Sequence, residues 1–233
     1  MKRIASFALT LLAVSFIFSC KAQNNYQLSP DDFEKATKAI NPVQVLDVRT
    51  PGEYFSGHIK NALQADWNDP KEFDRRIIYI DKNQPLYVYC QAGGRSAAAA
   101  SKLRKLGYTN VFELKGGING WLATGKTLEG NSDSNQMGLD EFNGKINTAG
   151  YVLVDFGAQW CPPCKKMEPV LQALQNDKSI SFTLTKVDGG RDQDIMQQYQ
   201  VTALPVFIVF KDGKQVWRRD GIATEAELKD QLK

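Results

Sequence analysis

The residues best suited to chemistry are cysteines, and Cys161 and Cys164 stand as a C-x-x-C pair. The apolar, β-branched run Val152-Leu153-Val154-Asp155-Phe156 stops at Gly157-Ala158 just before them, and Lys165 to Gln175 carries apolar residues at helical spacing. This order predicts a strand that delivers the pair to a helix N-terminus. There the unpaired backbone N–H groups and the helix dipole favour a thiolate, the attacking species in disulfide exchange. Cys161 is therefore the expected nucleophile. A zinc site would need further ligands, and the chain offers only Cys20, Cys90 and His58, none at a second ligand-pair spacing. A purely structural disulfide closing so short a loop would remove little entropy from the unfolded chain.

A second candidate is Cys90-Gln91-Ala92-Gly93-Gly94-Arg95, between an apolar run and a helical one. The two glycines let the backbone curl until successive N–H groups point inward, a nest for an anion at a helix start, and Arg95 would close the ring. A cysteine there is expected as a stabilised thiolate that can carry a negatively charged group on its sulfur. The alternative is a buried small residue ahead of an ordinary strand-to-helix turn.

The elements that must position these cysteines can be read in order. The chain has 233 residues, enough for one or two domains with cores of their own. Ser29-Pro30-Asp31-Asp32 is a helix start, with a hydroxyl cap, proline in the first turn and acids behind it, and the helix should run to Ala39. Strands are expected at 43–48, 62–65, 85–89 and 111–114, with helical segments at 53–55, 71–78, 95–106 and 117–122. Such alternation predicts an α/β domain with a parallel sheet covered on both faces. Residues 127–136 fall in a stretch of Gly, Asn, Ser, Asp and Lys that reads as a linker. Beyond it come a helix at 139–142, the strand and helix that carry the C-x-x-C, a strand at 180–187 and a helix at 194–199. A hairpin, 206–210 with 215–219, turns at Asp212-Gly213, and Thr224 with Glu227 forms a capping box for a last helix.

Charge gives one class of function no support. There are 29 basic and 26 acidic residues, so no excess of cations suggests nucleic-acid binding. Lys2 and Arg3 precede an apolar run from Ile4 to Phe18 that is short for a spanning helix, so residues 1–19 read as an export signal. Ile17-Phe18-Ser19-Cys20 resembles a bacterial lipoprotein box, in which Cys20 becomes the lipidated first residue, although Phe18 is bulky for that motif. Ordinary cleavage after Ala22 is the competing route. Residues 20–27 then form a polar tether, and the expected address is the periplasm or cell envelope, with membrane attachment only through a lipid on Cys20.

Dispersed motifs carry family resemblances. Leu46-Asp47-Val48-Arg49, Glu53-Tyr54, Gly57-His58-Ile59, the Cys90 to Arg95 loop and Gly116-Gly117-Ile118-Asn119-Gly120-Trp121 together resemble a rhodanese domain over residues 28–126. The resemblance implies that Cys90 accepts a sulfane sulfur as a persulfide inside the loop of Gln91, Ala92, Gly93, Gly94 and Arg95. It also makes Asp47 and Arg49 a structural pair and His58 architectural. The loop is one residue shorter than in the related phosphatases, which favours sulfur over phosphate. Residues 137–233 resemble a thioredoxin-fold domain with a mixed sheet. There Trp160, Cys161 and Cys164 fit the redox motif, Asp155 the buried acid, Lys186 its partner and Pro205 the cis-proline beside the cysteines. Pro162-Pro163 replaces the usual Gly-Pro and removes one more N–H from the helix start.

The two resemblances imply a sulfur-redox enzyme: a sulfurtransferase working through a Cys90 persulfide, coupled to a dithiol that reduces persulfides or disulfides. Its expected partners are a sulfane-sulfur donor, a thiol acceptor or protein disulfides, and an electron donor not identifiable from sequence. No metal and no cofactor beyond the Cys161–Cys164 disulfide are expected. The alternative is a thiol-disulfide oxidoreductase of envelope proteins in which the first domain is a non-catalytic binding module.

Overall fold

The computed structural model describes residues 26–40, 43–130 and 136–233. The readings for residues 1–19 and for Cys20 lie outside the described residues. No described helix is long and apolar enough to cross a membrane.

The first domain runs β1 (Gln27–Leu28), α1 (Pro30–Ala39), β2 (Gln44–Asp47), α2 (Pro51–Phe55), β3 (Leu63–Gln64), α3 (Pro70–Ile77), β4 (Leu86–Tyr89), α4 (Gly94–Lys105), β5 (Val111–Leu114) and α5 (Gly117–Ala123). The strands pair in the order β1-β5-β4-β2-β3, all parallel. Period-two alternation divides the strand side chains between two apolar layers. Leu46, Leu86 and Val88 meet Phe73 and Ile77 of α3 and Leu103 of α4. Val45, Tyr87 and Tyr89 meet Phe33 of α1 and Trp121 of α5 on the opposite face. Because every strand runs the same way, the loops after Asp47, Gln64 and Tyr89 open on one edge of the sheet, where parallel α/β folds commonly place their sites.

The second domain runs α6 (Leu139–Ile146), β6 (Tyr151–Gly157), α7 (Pro162–Asn176), β7 (Phe182–Asp188), α8 (Gln193–Gln198), β8 (Val206–Lys211), β9 (Lys214–Asp220) and α9 (Glu225–Asp230). Its sheet is mixed, in the order β7-β6-β8-β9, with β6 and β7 parallel and the other pairs antiparallel. Val154, Phe156 and Ile208 pack with Phe142 of α6, while Leu153, Phe207 and Val209 pack with Met167 and Leu171 of α7 and Leu228 of α9. The hairpin turn takes positive φ at Asp212 (48°) and Gly213 (77°), as a tight two-residue connection needs. The Thr224–Glu227 capping box forms as the sequence suggests.

Two segments differ from the sequence expectation. Gln27, the last residue of the supposed tether, lies with Leu28 in a strand on β5, and the Tyr26 carbonyl accepts a hydrogen bond from the N–H of Glu113 (2.7 Å). The start of the supposed linker is strapped onto the first domain. His58 and Glu129 exchange backbone hydrogen bonds (2.7 and 2.8 Å), Leu128 joins the Phe33 layer, and Lys126 pairs with Asp31 and Glu34. Both are short and polar in text, and each gains its structure from a distant strand or loop that supplies the missing backbone partners.

Candidate functional site

The Cys90 loop begins where β4 ends. Gly93, at φ 107°, caps α4 in a conformation that favours glycine, and its N–H donates to Cys90 Sγ (3.1 Å). Ser96 Oγ lies 3.4 Å from the same sulfur and donates to the Gly93 carbonyl. Burial pushes the Cys90 thiol up, but Ser96 and the backbone N–H groups of Ala92 and Gly93 outweigh it, leaving the thiol below its ordinary range. The far side of the loop is held by α5, because Ile118 and Asn119 donate to the carbonyls of Cys90 and Gln91 (2.9 and 3.1 Å). Gly117 is required there: a Cβ on it would sit 2.3 Å from the Cys90 oxygen.

Arg95 does not lie free over the nest. Its guanidinium bonds the Glu53 carboxylate through two nitrogens (2.8 and 2.5 Å), which holds Glu53 at about 2. Gln91 is likewise occupied, accepting from Arg49 Nη1 (3.2 Å) and donating to Asn119 Oδ1 (2.7 Å). Arg49 and Asp47 form the buried pair implied by the motif, and His58 stacks on Tyr54 with ring centroids 3.8 Å apart. Ser96 contacts this site without having been singled out, since it has no marker of its own in the loop text, and Glu53, quoted only as part of the family motif, proves to be the partner of Arg95.

In the second domain Cys161 caps α7 and is joined to Cys164 by a disulfide. Pro162 and Pro163 occupy the first helical positions, so the first backbone N–H of the helix belongs to Cys164, and it points at Cys161 Sγ (3.3 Å). Asp155 on β6 is the register partner of Lys186 on β7. With Cys164, Lys165 and Glu168 they line a cavity of about 290 Å³. Burial raises the Asp155 carboxyl to about 6 against the opposing charge of Lys186, and Glu168 adds to the rise. The Leu204–Pro205 peptide is cis, and Leu204 packs in the same apolar cluster as both cysteines. Among the described residues no group of three His, Cys, Asp or Glu side chains could hold a metal ion.

These geometries agree with comparisons to known proteins. A family model described as a rhodanese-like domain matches residues 29–124, and a thioredoxin model matches residues 134–233. Thioredoxin of Mycoplasmoides gallisepticum is 36% identical over 100 residues, covering 43% of this chain and 96% of that protein. The chain belongs to the thioredoxin family. Its thioredoxin domain follows a rhodanese-like one, and the disulfide-forming pair lies in the former. Thioredoxin X of Arabidopsis thaliana chloroplasts is 38% identical over 100 residues, but the match spans only 55% of that protein and 42% of this chain. A solved rhodanese-related protein from Thermoplasma volcanium is 28% identical, covers 45% of this chain and 98% of its own, and has a TM-score of 0.39.

Trp160 joins the thioredoxin motif to the rhodanese-like domain. Its carbonyl accepts from the N–H of Gln64 (2.8 Å), continuing the β3 edge of the first sheet. Its indole stands edge-on to Phe55 (5.7 Å) and tilts against Tyr54 (6.1 Å), and the Arg76 guanidinium lies 4.8 Å from the ring centroid. Tyr89, Asp47 and Gln64 share one register row. About three strand spacings, roughly 15 Å, therefore separate Tyr89, the residue before Cys90, from Trp160, the residue before Cys161.

Proposed function

We propose that the chain is a sulfurtransferase coupled to a dithiol reductase. The observation that carries this reading is the Gln64–Trp160 hydrogen bond, which holds the disulfide motif on the same sheet edge as the Cys90 loop. The Cys90 thiolate attacks the outer sulfur of a donor such as thiosulfate, forming a persulfide and releasing sulfite. A small thiol acceptor, RSH, then takes that sulfur as RSSH, which spans a gap too wide for direct contact. The Cys161 thiolate attacks the outer sulfur of RSSH and releases RSH. Cys164 then attacks Cys161 Sγ, closing the disulfide and expelling sulfide. The sum is RSSH plus two thiols giving RSH, hydrogen sulfide and one disulfide, so each turnover consumes two electrons that an external dithiol must return.

Support for the transfer step is the lowered Cys90 thiol among inward N–H groups. For the reduction step it is the cis Leu204–Pro205 peptide and the Asp155 cavity beside Cys164. Lys2, Arg3, the Ile4–Phe18 run and Cys20 support an envelope address with a lipid anchor, and hence an electron donor outside the cytoplasm. In a single turnover with thiosulfate and one equivalent of free cysteine, the reduced wild type is expected to release sulfide at least about tenfold faster than Cys161→Ser. Equal release would show that the dithiol takes no part in handling the sulfur.

A further inference from the structure

We infer that the dithiol of this chain is closed to folded protein disulfides and acts on low-molecular-weight disulfides and persulfides, because the rhodanese-like domain occupies the face on which a protein would dock. The inference rests on the dithiol being redox-active, as proposed above, and not on transfer from Cys90.

Cys161, the expected attacking residue, has no exposed surface, and Cys164 is 9% exposed. Disulfide exchange needs the attacking sulfur to reach its target, so access decides which substrates react. A protein substrate must lay an extended segment beside the motif and satisfy its main chain there. At Trp160 that role is already taken by Gln64, whose N–H fills the carbonyl. Phe55, Tyr54 and Arg76 cover the indole, and α3 packs against α7. The fit is close at Gly190, where a Cβ would come within 2.6 Å of the Phe55 ring. Gly190 has no left-handed φ, so the neighbouring domain, and not the backbone, makes a side chain unwelcome.

What stays open are crevices of small-molecule size. One of about 730 Å³ borders Phe55, Trp160 and Gly190. Another, of about 460 Å³ along the domain boundary, is lined by Tyr54, His58, Asn61, Gln159, Lys165 and Glu168. It shares Gln159, Lys165 and Glu168 with the cavity that reaches Cys164. This is the size class of small-molecule clefts, and its mixed charges suit a zwitterionic thiol of the amino-acid type better than a protein surface.

The test compares the reduced full chain on bis(2-hydroxyethyl) disulfide and on insulin, in the wild type and in Phe55→Asp and Gly190→Leu. The wild type is expected to reduce the small disulfide, and the ratio of insulin rate to small-disulfide rate should rise at least about tenfold in either variant. A ratio unchanged in both variants overturns the inference while leaving the reductase reading intact. A wild type that reduces neither substrate removes the reductase reading and the inference with it. A measurement that needs no interface variant uses the reduced chain carrying Cys20→Ser and Cys90→Ser, so that only the dithiol is alkylated. Iodoacetamide should outpace a polymer-bearing maleimide at least about tenfold more in the native chain than in urea, and equal preference in both would overturn the closure.

Discussion

Replacing Arg49 with alanine is expected to destabilise the rhodanese-like domain by about 3–5 kcal/mol, the usual cost of leaving one member of a buried ion pair alone. Arg49 is 2% exposed, and Asp47 has no exposed surface. The guanidinium donates to both Asp47 oxygens from Nε (3.0 Å each) and to Oδ2 from Nη2 (2.6 Å), and the backbone N–H of Arg49 adds a bond to Oδ1 (2.9 Å). Burial alone would lower the Arg49 pKa, but the bonds and charge of Asp47 more than offset it and leave it raised. The same side chain donates to the Gly57 carbonyl (2.7 Å) and to Gln91, so the variant also strips donors from the loop before His58 and from the Cys90 loop. Urea denaturation of the full chain, followed separately for each domain because two domains need not unfold together, would read the loss. Removing both charges as Asp47→Leu with Arg49→Met should recover most of the stability, since no buried charge is then left unpaired. A single-variant cost below about 1 kcal/mol would show that water reaches the pair.

Asp155→Asn is expected to move stability and activity in opposite directions. The carboxyl is raised from an ordinary 3.8 to about 6, first by burial, which Lys186 opposes and Glu168 reinforces. Between those values the folded chain holds a proton that the unfolded chain has released. The native state therefore loses stability as pH rises through about 4 to 6 and stays at the lower level above. Asparagine cannot ionise, so the variant should be more stable by about 3 kcal/mol at pH 7 and equal to the wild type below about pH 3. At neutral pH the wild-type Asp155 is a carboxylate in the cavity that reaches Cys164, placed to take the proton of that thiol as it becomes the resolving thiolate. The variant should therefore reduce a small disulfide about 10²-fold more slowly at pH 7 and lose the inflection near pH 6 that the wild type shows. Urea titrations and stopped-flow reduction at matched pH values would check both arms. An unchanged pH profile would remove Asp155 from the proton path.

Local chemistry carried much of the fold. Ser29 and Thr224 accept from the N–H groups of Asp32 and Glu227, as their helix-start text implies, because a cap and its partner lie three residues apart. Alternation in β2 and β4 was equally legible, since a strand of period two sends Val45 and Leu46 to opposite layers whatever its neighbours are. Glu53 shows where such reading stops. It closes a capping box with Thr50, a local bond, yet its carboxylate also grips Arg95, 42 residues away, and no spacing rule links those positions.

The same division applies to Cys161-Pro162-Pro163-Cys164, where residue order alone announced the dithiol and its helix start, while the roles of Asp155 and Pro205 came from the thioredoxin resemblance. The dithiol and helix start are properties of a strand end and a helix end, set by residue type and short spacing. What the dithiol can meet was legible only once the two domains were packed together. Trp160 lies against Phe55, Gln64 and Arg76 because apolar and cationic surfaces from another domain bury its ring, and that contact joins positions about a hundred residues apart in the chain. Residue types mark a reactive sulfur, but its exposure depends on what packs over it, which only the assembled fold determines.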